Sequence, residues 1–178
     1  CILHHQTGDG PPSFQRLGLP GGYLRWEPLD KDMEVRYSWV KSVDKDHLNL
    51  RWKVLRIGLP LETAHYHGID EDPRTKFVVA YIGERMVGCA TLQTDPRDGA
   101  IYRIRGMAVD EKSRNLGIGT KIVNLMQEFA ASHQTGIWCN ARIRAVPMYQ
   151  RCGFVIVSDV FEIEGIGPHH DMEWAPEE

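Results

Sequence analysis

Alternation and helical spacing divide the chain into a regular body and an N-terminal stretch without a clear period. From Glu34 to Val40, EVRYSWV alternates polar and apolar side chains at the two-residue period of a half-buried strand. The next run, DKDHLNLRWKVLRIGLP, sets Leu48, Trp52, Leu55 and Leu59 at helical spacing, with Gly58 and Pro60 as the stop. Residues 61–75 are polar and turn-rich, and HGIDEDP reads as a loop. KFVVAYIG and MVGCATLQT flank a turn around Glu84 and Arg85, which predicts a β-hairpin. A second turn is expected from Asp95 to Gly99, followed by the long strand AIYRIRGMAV. Gly106 inside that strand marks a bulge or the close approach of another group.

After Val109, the residues Ile118, Ile122, Leu125 and Phe129 form a helical stripe, and Gly136 follows the helix. GIWCNA is almost wholly apolar, as expected of a strand covered on both faces. A short helix over 144–151, ended by Gly153, leads to a strand FVIVSDV and a last strand near HHDMEW. The order strand, helix, three strands, helix, strand, helix, strands predicts an α/β domain on one mixed sheet. Residues 1–32, with Pro11-Pro12 and Gly21-Gly22, are expected to be an irregular extension. The regular domain is then 33–178, with Met33 a candidate native start.

A length of 178 residues suits one well-packed domain. Apolar residues at 42% and charged residues at 25% describe a globular chain rather than a disordered one. The net charge of −3 argues against a nucleic-acid partner, and it is compatible with an amine-bearing one. No apolar run approaches the roughly 20 residues of a membrane span, and no secretory signal pattern opens the chain. Cys1, Cys89, Cys139 and Cys152 lack metal-site or redox spacing. Buried reduced thiols are therefore expected, and with them a cytoplasmic location and no membrane partner.

The chemistry concentrates in SRNLGIGT, residues 113–120, between a strand and a helix. It is not a dinucleotide fingerprint, because Ile122 stands where the third glycine is needed, and GIGTK has the P-loop order wrong. What remains is R-x-x-G-x-G. Its glycines can make a plain tight turn, or they can open the backbone N–H groups at a helix N-terminus to a pyrophosphate. Arg114 would add a permanently charged donor. On chemistry alone both readings stand.

Further on, NARIRAVPMYQRCGF places Asn140 at a strand end and Tyr149 four residues before Gly153-Phe154. In this order, the MAV strand with R-x-x-G-x-G, the NAR strand end and Tyr-x-x-x-Gly-Phe resemble the GNAT superfamily of acyl-CoA-dependent N-acyltransferases. FEIEGIGPHHDM also resembles the F-E-x-G-I-P-H-x-x-M ending of one bacterial subgroup. The resemblance runs from about Glu34 to Trp174 and implies a mostly antiparallel mixed sheet, splayed at a β-bulge, with helices on both faces. It implies that the backbone of Met107, Ala108 and Val109 pairs with the pantetheine of acetyl-CoA. It also implies that Arg114, Asn115, Leu116, Gly117, Ile118, Gly119 and Thr120 hold the pyrophosphate, and that Asn140 reaches the pantetheine. Tyr149 would be the general acid for the leaving thiolate. Without the resemblance, Tyr149 is a partly buried aromatic and Asn140 a strand-end amide. Two departures stand out: Asn115 where many relatives have glycine, and Pro147-Met148 before the tyrosine.

The resemblance also puts the acceptor site after the first helix, which makes Glu62 and His67 candidate substrate contacts and His65 a neighbour. His169 and His170 open the last strand, and none of these is assignable as the base. His65-x-His67 alone is a poor zinc signal, so no metal is expected. The implied activity is acetyl transfer from acetyl-CoA to an amine, on a small molecule or a peptide, by direct attack. The alternatives are a coenzyme A-binding regulatory or interaction module without turnover, and a structural domain whose glycine loop is only a turn. Dimers are common in this fold, so a homodimer is compatible with the chain.

Overall fold

The computed structural model describes residues 14–18 and 24–28 as backbone and residues 34–177 with their side chains. The chain divides into two compact units, Cys1–Glu34 and Val35–Glu178. In the first, strands β1 (Phe14–Gly18) and β2 (Leu24–Pro28) pair antiparallel, with Arg16 opposite Trp26. This corrects the expectation of an irregular extension. The signal passed over is Gly21-Gly22 between two short runs, a hairpin-turn dipeptide. Cys1 and Met33 lie outside the described residues.

The second unit runs β3 (Val35–Val40), α1 (Lys45–Leu55), a 3-10 turn (Leu61–Ala64), β4 (Lys76–Ile82), β5 (Arg85–Arg97) and β6 (Ala100–Val109). It continues through a second 3-10 turn (Glu111–Ser113), α2 (Ile118–Ser132), β7 (Gly136–Arg142) and a third 3-10 turn (Ile143–Ala145). Then come α3 (Val146–Arg151), β8 (Val155–Ile156), β9 (Phe161–Ile163) and β10 (Gly167–Trp174). These strands build an eight-stranded sheet in the order β3-β4-β5-β6-β7-β10-β8, with β9 beside β10. Every pairing is antiparallel except β6 with β7, which α2 bridges as a crossover.

Alternation along β4 sorts the core onto two faces. Val78, Ala80 and Ile82 point to the larger cluster, built with Ile122, Val123 and Met126 of α2. Val79 points the other way, with Cys89 and Ala108, against Leu50 of α1. Gly88 of β5 lies under the start of α2. A Cβ there would stand 2.7 Å from Cγ2 of Ile118 and 3.1 Å from Cδ1 of Ile122, so the helix rests on bare backbone.

Helix α1 begins at Asp44, whose side chain accepts from the His47 N–H at 2.9 Å. Its buried face is His47, Leu50 and Arg51, not the expected stripe. Leu48, Trp52 and Leu55 are only half-buried, and Leu59 lies beyond the helix and is exposed. The phase is shifted because a buried ion pair takes the place of a leucine. Arg51 is wholly buried and donates to Asp70 at 2.7 and 3.0 Å, to Thr91 at 2.7 Å and to the Ala64 carbonyl at 3.1 Å. A second difference lies in β5, which continues through Pro96 to Arg97, leaving only Asp98 and Gly99 to turn. The register shift between Thr94 and Arg97 accommodates a proline that has no N–H for the ladder. Of the expected strand FVIVSDV, only Val155 and Ile156 pair.

Candidate active site

Strands β6 and β7 pair from Ala100 with Gly136 as far as Ile104 with Cys139, and then part. On the other side of β6, Cys89 pairs with Ala108 and Thr91 with Arg105, so Gly106 and Met107 together oppose Ala90. This is a β-bulge, and Gly106 takes φ +60°, the left-handed conformation that glycine adopts without strain. Both expectations for Gly106 hold, because the Tyr66 ring also lies against it.

A cavity of about 510 Å³ fills the split. Met107 and Val109 line it, whereas Ala108 is buried in the core beneath α1. From the loop, Arg114, Asn115, Gly117, Ile118, Gly119 and Thr120 line it, while Leu116 packs on the main core. Asn115 (φ +64°) and Gly117 (φ +75°) are both left-handed. Asparagine is the side chain that best tolerates that conformation, which explains Asn115 where a glycine would also serve. Gly117 caps α2 and, as a glycine, brings no side-chain hydrogen bond to the first amides of the helix. Free N–H groups at the positive end of a helix are the chemistry that suits an anion. The loop is anchored at its start by Asp110, which is buried and bonded to Lys53 at 2.8 Å and Arg85 at 3.1 Å.

Tyr149 lines the cavity from α3 and is buried against Phe154, ring centroids 5.2 Å apart. Its hydroxyl has no hydrogen-bond partner among the described residues. Burial holds its pKa well above the usual 10, so the phenol keeps its proton. Asn140 also lines the cavity, but its amide oxygen accepts from Arg103 and its amide nitrogen donates to Asp171. Arg103 also pairs with Asp95 at 3.2 Å and lies over the Trp138 ring.

The acceptor-side candidates Glu62 and His67 are exposed and do not line the cavity. His65, His67 and Glu71 each bring one ligand-type atom within 4.8 Å of the others, on the surface. The residue of that segment that does line the cavity is Tyr66, with the Arg51 guanidinium 4.2 Å from its ring centre. His169 lines the cavity from β10 and is buried. Its Nδ1–H donates to the Gly167 carbonyl at 2.7 Å, which leaves Nε2 with the lone pair. Burial holds its pKa below 6.5, which keeps the ring neutral. Arg56, Arg105, Arg142 and Arg144 complete the wall. Sequence periodicity does not reveal them, because they come from elements far apart in the chain.

This geometry agrees with comparisons to known proteins. The family model described as an acetyltransferase (GNAT) domain matches residues 61–176. The uncharacterised N-acetyltransferase YitI of Bacillus subtilis is 27% identical over 135 residues, 73% of this chain and 91% of that protein. Among solved structures, ElaA of Escherichia coli superposes with a TM-score of 0.62 at 20% identity, covering 79% of this chain and 99% of that one. A Bacillus subtilis acetyltransferase in complex with CoA superposes with a TM-score of 0.59 at 16% identity, covering 81% and 100%. By the family match over most of its length, and with the splayed sheet and glycine loop that its structure displays, the chain belongs to the GNAT acetyltransferase family.

Proposed function

We propose that the protein is an N-acetyltransferase that moves acetyl from acetyl-CoA to an amine by direct attack. The carrying observation is the convergence, in one cavity, of an unpaired β6 edge, an N–H-lined anion loop and the Tyr149 phenol. The fit to the cofactor is physical. The pantetheine arm needs backbone partners, which Met107–Val109 lack on the β7 side, and the pyrophosphate needs converging amides, which Gly117 to Thr120 supply. Arg114 adds charge at the same end. The leucine at 116 contributes backbone only, and Asn140 acts by holding Arg103.

Bound acetyl-CoA supplies an activated acyl thioester. The amine nitrogen forms the new C–N bond as the C–S bond breaks, and one proton is released per turnover from an ammonium acceptor. Tyr149 donates its proton as negative charge grows on the leaving sulfur. His169, neutral and with Nε2 bonded to none of the described residues, takes the proton from the incoming amine. The ending FEIEGIGPHHDM supports assignment to the subgroup that shares it, and it places His169 on β10. A coenzyme A-binding module without turnover has no use for a buried, unpartnered phenol at the split.

Calorimetric titration with acetyl-CoA, with CoA and ATP as controls, tests the first half. Micromolar binding shared by CoA and absent for ATP is expected, and no binding of acetyl-CoA overturns the reading. Release of free thiol on adding amines then separates an enzyme from a binding module.

A further inference from the structure

Seven arginines line the cavity, and no aspartate or glutamate does. They divide into groups with different neighbours. Arg114 sits at the glycine loop, beyond Val109. Arg103 is neutralised by Asp95 and held by Asn140. Arg56, Arg105 and Arg142 gather at the other end, where Arg56 and Arg105 lie 5.8 and 5.2 Å from the centre of the Tyr66 ring. Among the described residues none of these three makes an ion pair. Their protein partners are all neutral. Arg56 donates to the Thr63 and Leu55 carbonyls, Arg142 to the Leu55 carbonyl at 2.9 Å, and Arg105 to Gln93 at 3.3 Å.

Three clustered guanidiniums are expensive without an anion. The C-terminal end of α1, which carries the Leu55 carbonyl, offsets only about half a charge. Burial first, and then neighbouring guanidiniums, Arg56 among them for both, weaken the hold of Arg105 and Arg142 on their protons. Phosphates of the cofactor do not answer this need. Arg105 and Val109 are four residues apart along β6, about 13 Å at strand rise, and the anion loop follows Val109.

We propose that Arg56, Arg105 and Arg142 form the receptor for an anionic group on the acceptor, and that the acceptor is a small primary amine carrying a carboxylate. This rests on the acetyl-transfer reading of the same cavity. The arrangement acts on both ends of such a molecule. The carboxylate relieves the guanidinium cluster, and the same positive field lowers the pKa of the ammonium, favouring the neutral amine that attacks the thioester. A polyamine or another cationic acceptor meets repulsion and finds no carboxylate on the wall to hold it.

The test measures thiol release from acetyl-CoA with free amino acids, their C-terminal amides, aminoalkylphosphonates and polyamines. Alongside it, acetyl-CoA affinity is measured calorimetrically for the wild type and for Arg105→Gln and Arg142→Gln. The expected result is a kcat/KM for some free amino acid at least ~30-fold above that for its amide, the worth of a charge-assisted contact. Arg105→Gln should lose most of that preference with acetyl-CoA affinity changed less than about threefold. Amides or polyamines turned over as well as the free acids would overturn the proposal, as would phosphonates preferred over carboxylates. A protein that binds acetyl-CoA and acetylates no carboxylated amine would also overturn it, leaving the cofactor site intact. Loss of acetyl-CoA affinity in both arginine variants would reassign the cluster to the cofactor. Absence of acetyl-CoA binding by the wild type would instead defeat the underlying reading.

Discussion

The ring of Tyr66 occupies the space that a side chain on Gly106 would take: a Cβ at Gly106 would stand 2.8 Å from Cε2 and 3.1 Å from the hydroxyl. The bulge and the cavity wall are thus one packed unit. Gly106→Ala must hold an L-residue at φ +60° and push Tyr66 away, and should lower stability by about 2 kcal/mol or more in urea unfolding. Adding Tyr66→Ala should recover the contact part of that loss but not the backbone part. A single variant as stable as the wild type would show that the wall yields freely.

Gly119 offers a cleaner test of the loop than Gly117. Its φ is not left-handed, and a Cβ there makes only ordinary contact, 3.7 Å from Val109 and 3.8 Å from Met148. Gly119→Leu should fold normally while filling the space before the first amides of α2. Loss of one or two charge-assisted N–H contacts corresponds to roughly 10- to 100-fold weaker acetyl-CoA binding. Unchanged affinity in calorimetry would return the loop to a simple turn.

Tyr149→Phe removes one oxygen from a buried ring that packs on Phe154. The expected outcome is a fall in kcat of about 100-fold with acetyl-CoA affinity preserved. Full turnover would mean that water protonates the thiolate.

His169→Gln tests the base. Burial keeps the His169 pKa below 6.5, so wild-type kcat should fall in acid as the ring takes up a proton, on top of any rise with pH from deprotonation of the acceptor ammonium. The variant should lose that acidic limb and run about 100-fold slower at neutral pH. A pH profile unchanged by the substitution would assign the proton to another acceptor.

The glycine loop could be read from sequence because a positive φ is a local demand, met at Asn115 and Gly117 by residue type alone. The hairpin of β4 and β5 was equally local. The inner face of α1 was not, because Arg51 belongs on a polar face until Asp70, nineteen residues later, turns it inward. Tyr66 was hidden for a related reason. It stands between two histidines, one half-buried and one exposed, that looked chemically richer, and only the fold carries it under the bulge. The arginine cluster joins α1's end, β6 and β7, and no spacing rule links them.

His47 gives the fold a pH dependence independent of catalysis. It is buried against Phe77 with neither ring nitrogen bonded, and burial, then the charge of Arg51, bring its pKa down to about 4. The unfolded chain binds this proton below about pH 6.5 and the folded chain does not until about 4. Its contribution is therefore complete above pH 6.5 and is lost progressively as pH falls to 4, roughly 3 kcal/mol in all. Urea titrations across this window should show that slope, and His47→Phe should flatten it.

The bare backbone at Gly88 has a consequence for how such a protein can change over time. Gly88 does not itself line the cavity, yet it sets the height at which Ile118, the first residue of α2, meets the sheet. Any side chain at 88 lifts the helix start, and the amides there tilt with it. Ligand affinity thus hangs on a position hidden on the far side of the helix, where a single methyl group can act as a shim.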